Sequence, residues 1–148
     1  MLRFLLGCSL ALSIAACGSK SEPDRTTVLI RGDQVVTLTV EVADSPEERE
    51  RGLMSRPTLD PDAGMLFLFD RPSTTAFVMR DTTIPLSIAF YDGVGAIMQI
   101  LDMDPCRAEP CRLYRPRAPY VGALEVSQGA FRRFGVREGD RLEVSRNG

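Results

Sequence analysis

The chain has 148 residues, which is enough for one domain, and its 18 basic and 20 acidic residues give a net charge of −2 at pH 7. So mild a charge argues against a nucleic-acid-binding protein. The sequence contains no histidine, which excludes Ser-His and Cys-His catalytic pairs and removes the commonest ligand of zinc and Cu(II) sites.

The first 16 residues have the composition of an export signal. Arg3 supplies a positive charge, and the apolar run over residues 4–16 is too short to span a bilayer as a stable helix. The run ends in Ile-Ala-Ala-Cys, which resembles a bacterial lipobox whose cysteine, Cys17, receives a diacylglyceryl group. We therefore expect residues 1–16 to be a lipoprotein signal peptide, with an ordinary signal peptide and an incidental Cys17 as the alternative.

Residues 17–27 follow as a lipidated N-terminus and a polar, flexible tether. Each acyl chain, such as palmitate, adds about 0.8 kcal/mol per buried methylene, so two or three chains would anchor the protein almost permanently. The sequence thus predicts a location on the extracytoplasmic face of a bacterial membrane, the periplasmic side where the cell has two membranes. Residues 28–148 remain for a single β domain.

The β domain begins with the alternation of a half-buried strand. Val36, Leu38 and Val40 alternate with more polar residues over residues 35–42, and a period of two predicts a strand with one buried face.

A short helix is predicted after this strand. Ser45 can cap it, Pro46 suits its first position, and Glu48 completes a capping box. Because Pro57 cannot continue a helix, we expect the helix to end near Met54.

Short apolar runs separated by turn residues make up the rest of the domain. This rhythm has no βαβ repeat and predicts a mainly β fold, an antiparallel β-sandwich or distorted barrel of jelly-roll type with one or two short helices. The predicted strands are residues 28–30, 35–42, 65–69, 76–79, 86–91, 96–103, 120–126 and 141–144, with a helical turn over 129–134.

Two cysteines lie in one loop rich in proline and arginine. Cys106 and Cys111 remain after removal of the signal, and two such thiols outside the cytoplasm should be oxidised to a disulfide. Closing so small a loop stabilises a fold by only about 2 kcal/mol. The bridge is therefore expected to stiffen the loop, and the spacing differs from that of a redox-active Cys-x-x-Cys motif.

The domain carries, in this order, Arg51-Gly52-Leu53-Met54-Ser55-Arg56, Gly64-Met65-Leu66-Phe67, Phe77-Val78-Met79-Arg80-Asp81-Thr82, Ala123-Leu124-Glu125 and Gly139-Asp140. Together these motifs resemble the uncharacterised "ancient conserved region" family, domain of unknown function family 192. The resemblance covers roughly residues 35–144. It implies a mainly β, jelly-roll-like sandwich that is common in secreted or periplasmic proteins, and it implies no activity.

The third motif departs from the segment that is usual in that family, Phe-Trp-Met-Lys-Asn-Thr. Val78 replaces the tryptophan and Asp81 the asparagine. The first change removes an aromatic plate and the second adds a charge, so a shared pocket would have altered chemistry in this chain.

Four polar residues at the strand joints are the candidate ligand-binding residues, namely Arg51, Arg56, Arg80 and Thr82. A guanidinium fork suits a carboxylate or phosphate, and polar residues in loops more often form sites than scaffold. The sequence therefore favours a binding module for a small or anionic envelope ligand, with the disulfide loop as a flap or rim. In the alternative, Arg51 and Arg56 form salt bridges with Glu47, Glu48 or Asp60.

A cell-envelope hydrolase is the alternative that involves catalysis. It would use Glu125 with Asp81 or Asp92, because glycan hydrolysis needs two carboxyl groups a few ångströms apart, one with a raised pKa. Glu125 follows an apolar pair and would have a raised pKa if it pointed inward. Asp92 and Asp140 adjoin glycines and equally suit turns.

An assembly factor for another exported protein is the third hypothesis, and it requires an exposed apolar patch.

The loop arginines could meet anionic polymers or lipid headgroups, the tyrosines could bind sugars, and Met98 and Met103 could be accessible to Cu(I). Met65 and Met79 are expected to fill the core. We expect no metal, no cofactor and no nucleic-acid partner. The loop arginines are Arg107, Arg112, Arg115 and Arg117, and the tyrosines are Tyr91, Tyr114 and Tyr120.

The lipoprotein hypothesis makes a direct prediction about Cys17. Mass spectrometry of protein extracted from its own membranes should find a mature N-terminus at Cys17 with a mass increment of two or three acyl chains. Cys17→Ser should move the protein from the membrane to the soluble fraction, while the control Cys8→Ser, within the signal, should leave it anchored. A mature chain that begins elsewhere and carries no lipid would refute the hypothesis.

Overall fold

A computed structural model describes residues 24–145 and contains nine strands and two short helices in that range. The lipobox, Cys17 and most of the predicted tether lie outside the described residues. The strands are β1 (Arg25–Arg31), β2 (Val35–Ala43), β3 (Ala63–Ser73), β4 (Phe77–Val78), β5 (Leu86–Tyr91), β6 (Ile97–Met103), β7 (Leu113–Tyr114), β8 (Tyr120–Ser127) and β9 (Arg141–Ser145), and the helices are α1 (Pro46–Arg51) and α2 (Ala130–Arg133).

Seven of these strands form one curled sheet in the order β6-β5-β8-β3-β2-β1-β9, and β4 pairs with β7 in a separate two-stranded sheet. This confirms the predicted mainly β class and the distorted barrel. All pairs are antiparallel except β2 and β3, which run parallel from Thr39↔Ala63 to Ala43↔Phe67. The parallel pair was not predicted, and it follows from the crossover through α1. The first strand begins at Arg25, inside the predicted tether.

The curled sheet closes on itself at one end. Ala96, just before β6, bridges to Arg141 at the start of β9. Two backbone hydrogen bonds support this seam, from Ile97 N to Asp140 O (2.9 Å) and from Leu142 N to Gly95 O (2.8 Å). The two outer strands of the sheet therefore meet there, which gives the half-barrel its shape and covers part of both edges.

One hydrophobic cluster fills the inside of the half-barrel. Alternate residues of β2, such as Val36 and Leu38, meet Leu66 of β3 and Leu124 of β8, and Phe131 of α2 covers the end. The period-two pattern of β2 therefore predicted its buried face correctly.

A second cluster covers the outer face of β3, β5 and β8. It contains Phe67, Phe90 and Tyr120, together with Met79 next to β4 and Leu53 after α1. All six residues of β5 are buried, since its neighbours cover both of its faces. The central strands thus lie between two apolar layers. No helix in residues 24–145 is long and apolar enough to cross a membrane.

Helix α1 begins as the sequence predicts and ends earlier. Ser45 and Glu48 form the complete capping box, with Pro46 at the first position. The helix ends at Arg51 and not near Met54, because Gly52 adopts a positive φ of 46°, a conformation that glycine adopts readily.

The close approach of β3 and β8 generates a prediction about Gly64. A Cβ at this position would lie 2.4 Å from the carbonyl oxygen of Glu125, which is main chain and cannot rotate away. Gly64→Ala should destabilise the domain by about 1–3 kcal/mol. The matched control is Gly93→Ala, since a Cβ there meets nothing within 4 Å. Equal melting temperatures of the two variants would contradict the strand packing described here.

Candidate functional site: an apolar cleft beside the disulfide loop

A cleft with a volume of about 540 Å³ lies on the outer face of the sheet, between α1, β3 and β4. This volume is in the usual range for small-molecule sites. The lining residues are Pro46, Arg49, Glu50, Met54, Phe67, Phe69, Ser73, Thr75, Ala76, Phe77, Val78 and Arg80.

Aromatic packing holds the walls of the cleft in place. The ring of Phe77 meets Phe67 edge to face, with 5.0 Å between centroids, and meets Phe90 of the buried layer at 5.7 Å. Phe69 packs edge to face against Tyr120 at 5.2 Å. Such contacts add to the stabilisation from burial, so the apolar surface of the cleft is largely preformed.

Arg49 is a fixed part of one wall. Its guanidinium lies 5.0 Å from the centre of the Phe69 ring, and its Nη1 donates to the carbonyl oxygens of Leu68, at 2.9 Å, and of Asp44. Sequence reasoning missed this residue. The available signal was the i, i+3, i+4 spacing of Pro46, Arg49 and Glu50, which places all three on one face of α1.

Arg80 supplies an exposed positive charge at the rim of the cleft. Its Nε donates to Oε1 of Glu109 at 2.9 Å, and the two side chains are 56% and 61% exposed. The hydrogen bond from Arg80 lowers the pKa of Glu109, and Glu109 raises the pKa of Arg80. Both groups are therefore ionised at neutral pH.

The predicted disulfide between Cys106 and Cys111 is present, and it lies beside the cleft. The backbone N–H of Cys106 donates to the carbonyl oxygen of Met79 at 3.3 Å. Farther along the same loop, β7 pairs Leu113 with Val78 of the cleft wall. The loop therefore contacts β4, whose side chains line the cleft. It also contacts Met79, directly after β4.

Of the four predicted ligand-binding residues, the structure places only Arg80 in this cleft. Arg51 is exposed at the end of α1, and the buried Thr82 donates its hydroxyl hydrogen to the carbonyl oxygen of Arg80 at 3.2 Å. The segment after α1 and the segment around Thr82 do meet, because the Thr83 hydroxyl donates to the carbonyl oxygen of Arg56 at 3.2 Å.

The side chain of Arg56 is occupied by an ion pair inside a separate polar pocket. Its Nη1 donates to Oε1 of Glu41 at 2.6 Å, and its Nη2 contacts Oε2 of the same carboxylate. The side chain of Glu41 is only 11% exposed. A salt bridge was one of the two hypotheses for Arg56, but its partner is on β2 and not the nearby Glu47, Glu48 or Asp60.

Glu125 points to the outer face of β8 and is buried between apolar neighbours. Its cross-strand partners are Met65 and Ile88, it is 5% exposed, and no arginine forms a salt bridge with it among residues 24–145. Burial raises the pKa of Glu125 to about 8. The carboxyl group is therefore protonated at neutral pH, which is a property expected of a general acid but also of a tolerated buried acid.

The two aspartates of the hydrolase hypothesis lie apart from Glu125. Asp92 accepts hydrogen bonds from the backbone N–H groups of Val94 and Ala96 in the turn after β5. It lies four residues from Ile88 along the chain, or about 13 Å in an extended strand. Asp81 is exposed in a loop with φ 53°. Asp140, also considered, accepts from the N–H of Arg137 in another turn. The structure brings none of them into a cleft with Glu125.

The side chains considered for metal and sugar binding are buried or not grouped as ligands. Met103 is fully buried, so the prediction that it is accessible is wrong. No group of three or more His, Cys, Asp or Glu side chains within residues 24–145 is placed to hold a metal ion. All three tyrosines are buried and offer no flat sugar platform, and burial raises the pKa of Tyr91 to about 12.

The loop arginines do not all meet at one place, since Arg107 and Arg112 line one pocket beside the disulfide and Arg117 is paired elsewhere. Arg117 pairs with Glu138 at 2.6 Å, and Arg112 lies 4.9 Å from the centre of the Tyr114 ring. The large exposed apolar residues of the described chain belong to three different segments, and they give no support to an assembly-factor surface. They are Val35, Val94 and Leu113.

The buried carboxyl group of Glu125 makes stability depend on pH. Between about pH 4.3, where an unfolded glutamate titrates, and about pH 8, the folded protein binds one more proton than the unfolded chain. Stability should therefore fall as the pH rises through this range, by at most about 1.4 kcal/mol per unit. Glu125→Gln should remove this slope and raise the melting temperature at pH 8, whereas Glu47→Gln, an exposed control, should retain the slope. Parallel pH profiles of wild type and Glu125→Gln would contradict this account.

Comparison with solved structures finds close relatives of this fold. A protein from Sinorhizobium meliloti 1021, described as a candidate transcription regulator, is 34% identical with a TM-score of 0.79, over 84% of this chain and 97% of that one. A protein of unknown function from Novosphingobium aromaticivorans DSM 12444 is 30% identical with a TM-score of 0.75, over 93% of this chain and 99% of that one.

No protein with a curated function matches the chain. The family of uncharacterised ACR proteins, domain of unknown function family 192, matches residues 27–144. This range includes both apolar layers and all of the cleft. The chain therefore belongs to domain of unknown function family 192, as its motifs indicated.

Proposed function

We propose that this protein is a membrane-tethered, extracytoplasmic binding module whose cleft takes a small ligand with an apolar body and an anionic group. The observation that carries the proposal is the combination of preformed aromatic walls with the exposed guanidinium of Arg80 at their rim. Apolar surface with a few placed polar groups is the usual composition of a small-molecule site.

The charged groups at the cleft favour an anion over a cation. Arg49 and Arg80 both line the cleft, and Glu50 is the one acidic residue among its lining residues. The charge of Arg49 is satisfied by two carbonyl oxygens and the Phe69 ring. Arg80 is thus the group that can direct the anionic end of a ligand, since a guanidinium pairs well with carboxylate, phosphate or sulfonate oxygens.

The proposed location is supported by the sequence and agrees with the disulfide. The signal-like run that ends at Cys17 supports export and lipidation, and disulfides persist mainly outside the cytoplasm. A ligand for a tethered domain would come from the envelope. The description of the S. meliloti relative as a candidate regulator belongs to that protein, and the charge of −2 in this chain gives no support to direct nucleic-acid binding.

Binding without catalysis agrees best with the arrangement of the acidic side chains. The protonated Glu125 lines neither the apolar cleft nor the polar pocket around Arg56. The candidate aspartates lie in turns or in an exposed loop. A general acid must come within hydrogen-bonding distance of a substrate atom, and here Glu125 would meet Met65 and Ile88 instead.

The cleft can be tested with 8-anilino-1-naphthalenesulfonate (ANS), an apolar anion that fluoresces when it leaves water. The wild-type protein should bind ANS at a single saturable site. Val78→Asp places a charge in the apolar wall and should weaken binding at least about tenfold, because an unpaired charge is costly to bury. The control Val35→Asp alters an exposed valine away from the cleft and should change nothing.

A second variant guards against loss of folding by Val78→Asp. Thr75→Trp fills the mouth of the cleft from an exposed position, and it should also block ANS while melting like the wild type. Unchanged binding in folded Val78→Asp and in Thr75→Trp would refute the cleft as the site.

A further inference from the structure

We propose that Glu109 is a built-in occupant of Arg80, which the anionic group of a ligand must displace, and that the Cys106–Cys111 disulfide holds Glu109 in that position. Glu109 then determines the selectivity of the cleft between anionic and neutral ligands. This inference rests on the proposed function, because it assigns a regulator to the same cleft.

The first step is the placement of the ion pair. Arg80 lines the cleft, whereas Glu109 approaches it from the disulfide loop and receives a hydrogen bond from Arg80 Nε at 2.9 Å. A carboxylate on a guanidinium has the same chemistry as an anionic ligand on that guanidinium. Glu109 and the ligand therefore compete for one group.

The second step is the strength of the pair. Both side chains are more than half exposed, at 56% and 61%, and exposed ion pairs contribute little to stability because water and salt screen them. A ligand that also buries its apolar body in the cleft can therefore displace Glu109. The pair is weak enough to yield and close enough to compete.

The third step is what holds Glu109 in place. Its second oxygen, Oε2, accepts a hydrogen bond from the backbone N–H of Cys111 at 3.0 Å, and Cys111 is covalently joined to Cys106. The N–H of Cys106 in turn donates to the carbonyl oxygen of Met79, next to Arg80. The disulfide thus keeps the carboxylate near the guanidinium and raises its effective concentration there.

The comparison with two other arginines shows why Arg80 is the adjustable one. Arg56 has both terminal nitrogens on Glu41, whose side chain is 11% exposed, and breaking such a pair would leave a buried charge. Arg49 is held by carbonyl oxygens and by Phe69. Only Arg80, among these three, can change partner at small cost.

The decisive experiment compares two probes that differ by one charged group. ANS carries a sulfonate, whereas N-phenyl-1-naphthylamine has the same aromatic body without it. Glu109→Gln should raise the affinity for ANS roughly two- to fivefold, the range expected for an exposed ion pair, and should leave the affinity for the neutral probe unchanged. Replacing both Cys106 and Cys111 by serine should shift the ANS affinity in the same direction.

Arg80→Gln provides the dependence on the guanidinium. It should weaken ANS binding, leave the neutral probe unchanged, and abolish the effect of Glu109→Gln in the double variant. Glu50→Gln is the matched control, since it removes another negative charge from the cleft lining. Its effect on ANS should persist in the Arg80→Gln background.

The possible failures are distinguishable. If both probes bind and Val78→Asp blocks them, but Glu109→Gln leaves ANS affinity unchanged or raises both probes equally, the occupant hypothesis is wrong and the cleft remains the site. Persistence of the Glu109→Gln effect without Arg80 would overturn it in the same way. If neither probe binds the wild-type cleft, the proposed function fails and this inference fails with it.

Discussion

The structure depends on the fact that its central strands are apolar on both faces. Every residue of β5 is buried, and one curled sheet can cover only one face of such a strand by its own curvature. The other face needs a separate cover, which β4, β7 and Leu53, after α1, supply. The cleft lies where this outer cover is incomplete, so Phe67 belongs to the buried layer and also lines the site. Fold and candidate site thus share one set of aromatic contacts.

Two carboxyl groups on the outer face of the sheet have different neighbours. Glu41 and Glu125 are both cross-strand partners of Met65 and therefore project from the same face. Both carboxylate oxygens of Glu41 contact Arg56, whereas Glu125 has apolar neighbours and a raised pKa. Because transfer of a charge from water costs more than transfer of a neutral carboxyl group, Glu125 is accommodated by protonation. Glu125 is thus a neutral component of the outer apolar layer.

Local signals predicted the local structure, and the failures concern contacts between distant segments. Alternation along β2 and the capping box at Ser45 were visible because a few neighbouring residues determine them. The disulfide followed from the shared loop. The parallel pairing of β2 with β3, and the pairing of Arg56 with Glu41, join segments that the sequence does not relate. For the same reason the sequence suggested Arg80 as a ligand-binding residue but gave no sign of its contact with Glu109.

The contact between Arg80 and Glu109 has a consequence for which molecules the proposed site would retain. An apolar wall alone binds any molecule of suitable shape, and an unpaired guanidinium alone attracts any small anion in the envelope. With Glu109 in place, a small inorganic anion gains little, because it exchanges one weak, exposed pair for another. A molecule with an apolar body gains the burial of that body as well, at about 25 cal/mol for each Å² removed from water. The internal pair would therefore leave small inorganic anions weakly bound. A ligand with an anionic group and an apolar body would still bind, through burial of that body.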